Sequence, residues 1–135
     1  MKRLAPCLIL FASPVLADCE ALTGLIQRDV AQAKAVFAPD PAICSVAQQT
    51  SGETLFCYAE HPFRSETATE QATRIEAEIS ACFNAPARKA DAEVNHPDSY
   101  AARWFDVDDA RISLSVKDKG ALGKTLVFLR VADGE

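Results

Sequence analysis

The residues of this chain that could do chemistry are few. There are five cysteines, two histidines and a crowd of aspartates around residue 108. Cysteines can bridge, bind zinc or carry redox chemistry. Zinc sites favour C-x-x-C pairs, and none occurs here. Reactive thiol pairs usually lie close together at a helix start. Cys19 does open a helical stretch, but its nearest possible partner, Cys44, lies far along the chain. That leaves structural disulfides as the expected use of Cys19, Cys44, Cys57 and Cys82.

His61 stands between Glu60 and Pro62, and His96 between Asn95 and Pro97, with Asp98 and Ser99 close by. A hydrolytic triad or a metal site can be drawn from these side chains. No G-x-S-x-G or H-E-x-x-H frame supports it, and a His-Pro step is more simply a strand end or loop. Asp106, Asp108 and Asp109 crowd one turn and could hold calcium, but the glycine and distal glutamate of a calcium loop are missing. A solvated hairpin turn is expected instead. The sequence therefore names no catalytic residue, no metal ligand and no cofactor.

Cys7 belongs to a different kind of segment. Lys2 and Arg3 precede an apolar run from Leu4 to Leu16, and Val15-Leu16-Ala17 has the form of a cleavage site. The run is shorter than the ~20 residues a membrane span needs. Residues 1–17 read as an export signal, cut after Ala17. A lipid anchor on Cys19 would require a small residue before it, and Asp18 stands there. The expected product is a soluble periplasmic or secreted domain of residues 18–135, without a stable membrane anchor, monomeric or homodimeric.

Removing residues 1–17 from the 135-residue chain leaves 118 residues, enough for one modest core. The 12 remaining basic residues face 19 acidic ones, a formal charge of −7. Such a balance argues against nucleic acid and anionic lipid as partners.

The elements that must position these residues can be read from periodicity. Cys19, Leu22, Ile26, Val30, Ala33 and Phe37 form one helical stripe, which predicts a helix from Asp18 to about Phe37. Residues 43–48 and 53–59 predict two strands around Thr50-Ser51-Gly52. Thr67 and Glu70 have the spacing of a capping box and predict a second helix, with Ala68, Ala72, Ile75, Ile79, Cys82 and Phe83 on its apolar side. Residues 85–99 have no clear pattern and contain a turn cluster. Tyr100–Val107, Arg111–Lys117 and Lys124–Val131 predict a three-stranded meander. In its middle strand, Ile112, Leu114 and Val116 face in, while Arg111, Ser113, Ser115 and Lys117 face out. The order α-β-β-α-β-β-β predicts an α+β fold: an antiparallel sheet with two helices on one face.

That order also predicts the disulfides. A first helix rising about 27 Å at 1.5 Å per residue carries the chain away from Cys19. The next two strands run down and up, which sets Cys44 opposite Cys57. The second helix then descends and brings Cys82 back to Cys19. Cys19–Cys82 and Cys44–Cys57 are the expected pairs, since other pairings exceed the ~7 Å reach between Cα atoms.

The last strand, Thr125–Val131, is apolar on both faces. If Val127, Leu129 and Val131 meet the helices, Leu126 and Phe128 point away, beside Arg130. Trp104 or Phe105 adds an aromatic, and Arg103 and Arg111 add charge at the rim. Unless the sheet curls or residues 85–99 cover it, this open face is a candidate contact surface for a protein partner. The expected function is thus a binding module of the inhibitor, chaperone or assembly-factor kind. The alternatives are a small hydrolase or metal enzyme using His61 or His96, and a small-ligand carrier.

Overall fold

The computed structural model describes residues 19–50, 52–89, 94–95 and 99–134. The segment read as an export signal, the cut after Ala17, and His96 with Asp98 lie outside the described residues.

The first helical stretch is two helices, α1 (Cys19–Ile26) and α2 (Val30–Val36), where the stripe predicts one. The break has a local cause. Arg28 takes a left-handed φ of 55°, and Asp29 caps α2, its carboxylate accepting from the Gln32 N–H at 3.1 Å. The Arg28 guanidinium fastens the bend. It donates to the Ile26 carbonyl and pairs with Asp133 at 2.7 Å. Gly24 lets the two helices close, because a Cβ there would overlap the Gln32 side chain.

The chain then forms the hairpin β1 (Ile43–Gln49) and β2 (Gly52–Pro62). Gln49 pairs with Gly52, so the register sets Cys44 across from Cys57. Helix α3 (Glu66–Phe83) follows. The expected Thr67–Glu70 capping box does not form. Ser65 is the N-cap residue, Thr67 lies inside the helix, and its hydroxyl is engaged with His61 and Ser65. Asn84 ends α3 in a left-handed conformation with φ 49°.

In the stretch without a sequence pattern, β3 (Arg88–Lys89) and β4 (Val94–Asn95) are short pieces that pair with β5 (Ser99–Val107). β6 (Ala110–Lys119) and β7 (Lys124–Asp133) complete the meander. They are longer than the sequence pattern predicts. The turn between them is a 3-10 turn, Gly120–Leu122, closed by Gly123 at φ 63°. The sheet is antiparallel in the order β1-β2-β7-β6-β5-β3, with β4 also on β5. β2 thus pairs with the last strand of the meander and joins hairpin and meander into one layer.

One side of this sheet carries the core. Leu55, Cys57, Ala59, Phe105, Ile112, Leu114, Val127, Leu129 and Val131 are buried there. Leu22, Leu25, Val36, Phe37, Ile75 and Ile79 from the helices are buried in the same cluster. Each large apolar side chain in it contributes roughly 1.5–3 kcal/mol relative to exposure. The fold is α+β with the helices on one face of an antiparallel sheet, as the element order predicts.

Two disulfides fasten it. Cys19–Cys82 ties α1 to the last turn of α3, with Cα atoms 5.5 Å apart. Cys44–Cys57 ties β1 to β2 with Cα atoms 4.1 Å apart, the close spacing of a non-hydrogen-bonded antiparallel pair. Both pairings match the expected ones, although the single straight helix used to reach them is broken at Arg28. Two bridges are the covalent chemistry of an oxidising, non-cytoplasmic compartment. Among the described residues no helix is long and apolar enough to cross a membrane.

Candidate functional site

Residues alternate between the two faces along each strand, and residues paired across strands share a face. Burial of Leu55, Cys57, Leu129, Val131, Ile112 and Phe105 against the helices therefore assigns their neighbours to the outer face. Two transverse rows result. One runs Ser45, Phe56, Arg130, Ser113, Trp104, Arg88. The next runs Ile43, Tyr58, Phe128, Ser115, Ala102. Beyond it Glu60, Leu126 and Lys117 stand side by side.

The aromatic and basic side chains of these rows pack on one another. Tyr58 and Phe128 stack with ring centroids 5.8 Å apart and planes 12° from parallel. The Lys117 ammonium lies over the Phe128 ring at 4.9 Å, and the Arg130 guanidinium over Phe56 at 5.8 Å. Arg111 lies 5.9 Å from the Trp104 ring. Phe56, Tyr58, Trp104, Leu126, Phe128 and Arg130 are all partly exposed. Between the Phe128 and Trp104 ridges, Ser113 and Ser115 on β6 form a lower floor. Two strand spacings separate the ridges, about 10 Å.

Charge on this face is uneven. Asp106 is shared by Arg111 at 2.9 Å and Arg88 at 3.8 Å, and Glu60 holds Lys124 at 2.8 Å. Arg130 has the Phe56 ring and, among the described residues, no carboxylate partner. A chain that is acidic in total thus presents a basic and aromatic patch on this side.

Five of the seven residues expected to form the contact surface are brought together here: Trp104, Arg111, Leu126, Phe128 and Arg130. Arg103 and Phe105 are not. Both lie on the helix side of β5, where Phe105 is fully buried and Arg103 approaches Glu76 of α3 at 3.9 Å. The reason is register: Trp104 opposes Ser113, and Phe105 opposes the buried Ile112. Sequence reasoning missed Phe56, Tyr58 and Arg88 as members of the face, and it placed Lys117 facing out without counting it in the contact surface. The signal for the first two was available, since a bridged Cys57 must point inward and its strand neighbours outward.

His61 belongs to the other face and to packing. Its Nε2 is 2.7 Å from Oε1 of Gln71, and its Nδ1 is 3.0 Å from the Thr67 hydroxyl. The Gln71 amide nitrogen donates to the Phe37 carbonyl at 3.2 Å and to Asp40 at 2.9 Å. Those acceptors fix the amide so that its oxygen faces the ring, and His61 donates from Nε2. In the neutral ring, Nδ1 then accepts from Thr67. Both ring nitrogens are in use, and the network ties β2, α2 and α3 together. The aspartates at the β5–β6 turn are used as ion-pair partner or lie exposed. Among the described residues no three His, Cys, Asp or Glu side chains are grouped as a metal would require.

No protein-family model matches the chain. No curated protein matches it either. Among solved structures, CalU16 from Micromonospora echinospora is similar at 9% identity over 72% of this chain and 70% of that one. Its TM-score of 0.33 is too low to support any inference.

Proposed function

We propose that this chain is an exported, disulfide-stabilised binding module that docks a protein partner through the outer face of its sheet. The observation that carries the reading is the composition of that face. A solvated sheet face alternates polar residues outward. Here the outward positions of β2, β7 and β5 hold Phe56, Tyr58, Leu126, Phe128 and Trp104, interleaved with Arg130 and bordered by Arg111. Aromatic residues and arginine are the types enriched where protein partners bind most tightly. The rings are preordered by stacking and cation contacts, so little side-chain freedom is lost on docking. Arg130, with no carboxylate partner among the described residues, favours a partner that offers acidic groups beside apolar ones.

Export rests on the N-terminal signal pattern and agrees with the two disulfides. The proposed partner is accordingly a periplasmic or extracellular protein.

The test is capture from a periplasmic extract by the wild-type protein and by Phe128→Ser and Arg130→Glu, each checked for an intact fold by thermal melting. The reading expects one protein recovered in fixed ratio by wild type and lost by both variants. Recovery of the same proteins by all three refutes it.

A further inference from the structure

The two edges of the sheet are built differently. At one edge, β5 carries two pieces of two residues each, β3 with Arg88 and Lys89, both charged and exposed, and β4 with Val94 and Asn95. Short charged edges resist pairing with other strands. The other edge is β1, Ile43-Cys44-Ser45-Val46-Ala47-Gln48-Gln49. It has no charge and no proline, and its register with β2 runs without a bulge from Ile43 to Gln49. Ile43 is 57% exposed and Val46 39% exposed.

The close Cα spacing at Cys44–Cys57 marks a non-hydrogen-bonded pair, so the N–H and C=O of Cys44 point away from β2. By alternation, so do those of Val46 and Gln48. Among the described residues no backbone bond outside the β1–β2 ladder reaches these three residues. The strand therefore offers a row of three donors and three acceptors to another strand.

We propose that a second copy of this chain occupies that edge, β1 pairing antiparallel with β1 about a two-fold axis at Val46. The strand is self-complementary there. Val46 meets Val46 of the second copy, Cys44 meets its Gln48, and Gln48 meets its Cys44, each as a hydrogen-bonded pair. On the outer face Ser45 lies opposite Ala47, and Ile43 opposite Gln49. No like charges meet, and the exposed Val46 side chains cover each other. An interface in which the same patch serves both copies is the usual one for symmetric dimers. The axis stands normal to the sheet, so the two outer faces lie on the same side and form one doubled surface. A single strand pair is small beside the ~1,200–2,000 Å² of a stable interface, so association depends on concentration.

Sedimentation of the disulfide-intact mature protein, from low micromolar to millimolar, tests this. Wild type shifts from monomer to dimer. Val46→Lys places two like charges across the axis and weakens association by about tenfold or more. Val46→Pro removes an outward N–H without touching the β1–β2 ladder and does the same. Both melt close to wild type. Hydrogen exchange at millimolar concentration shows the Cys44, Val46 and Gln48 amides slow in wild type and fast in Val46→Lys, while Ser45 and Ala47 stay slow in both. A wild type that remains monomeric at millimolar overturns the proposal. So does a dimer that Val46→Lys leaves intact. Protection of the three amides only on adding a different protein also overturns it, and assigns the edge to a foreign strand. None of these readouts depends on whether the outer face docks a partner.

Discussion

Phe128→Ala and Leu129→Ala, adjacent on β7, should differ sharply in cost. Leu129 is fully buried among the core side chains, opposite Cys57 on one side and Leu114 on the other. Truncating it removes apolar contact and leaves a cavity, which costs about 3–5 kcal/mol. Phe128 is partly exposed, so the cavity term falls away. What is lost is the stack on Tyr58, about 0.5–1.5 kcal/mol, and the Lys117 contact, about 0.5–1 kcal/mol at an exposed site. Together these come to about 1–2.5 kcal/mol. Urea denaturation of the oxidised protein reads both, as a lowered midpoint with unchanged slope. If Phe128→Ala costs as much as Leu129→Ala, something covers the outer face, and the argument that it is open to a partner fails.

Three further outcomes follow from the same geometry. Replacing Cys19 and Cys82 together by alanine should cost more than replacing Cys44 and Cys57, about 4 against 3 kcal/mol in the chain-entropy account, because the loops closed span 63 and 13 residues. Melting temperatures of the two double variants, several degrees apart, check the order, and the reverse order contradicts it. His61→Ala strands the buried Gln71 amide and should destabilise by about 2–4 kcal/mol in a denaturant titration; a neutral change would show that the network is not structural. Asn84→Ala forces a left-handed residue without the tolerance of asparagine and should cost about 1 kcal/mol, read as a small drop in melting temperature.

Much of the fold was legible because its signals were local and reinforced one another. Ile112, Leu114 and Val116 alternate with Arg111, Ser113, Ser115 and Lys117, and the structure puts them on opposite faces as that alternation requires. The bridge pairing was legible because strand register and chain direction leave few alternatives. The break between α1 and α2 was not read. The stripe Leu22, Ile26, Val30 continues through it, and only Asp29 with Gln32 three residues on hinted at a new cap. Arg28 holds the bend through Glu53 and Asp133, contacts that exist only after folding. The face of Phe105 and Arg103 was ambiguous for a similar reason. Trp104 and Phe105 are both large and aromatic, so only the register against β6 decides which one is core. The tie from His61 to Gln71 and Asp40 likewise joins segments far apart in sequence, and Gln71 on an apolar stripe was its single trace.

The central claim is that the outer face, and not the helix side, meets a partner. A photo-reactive aromatic residue placed at Trp104, in the native cell, tests this most directly, with the same residue at the exposed Ala77 of α3 as control. The account predicts a crosslinked partner from position 104 and none from position 77. A partner crosslinked from position 77 alone, or equally from both, would contradict it.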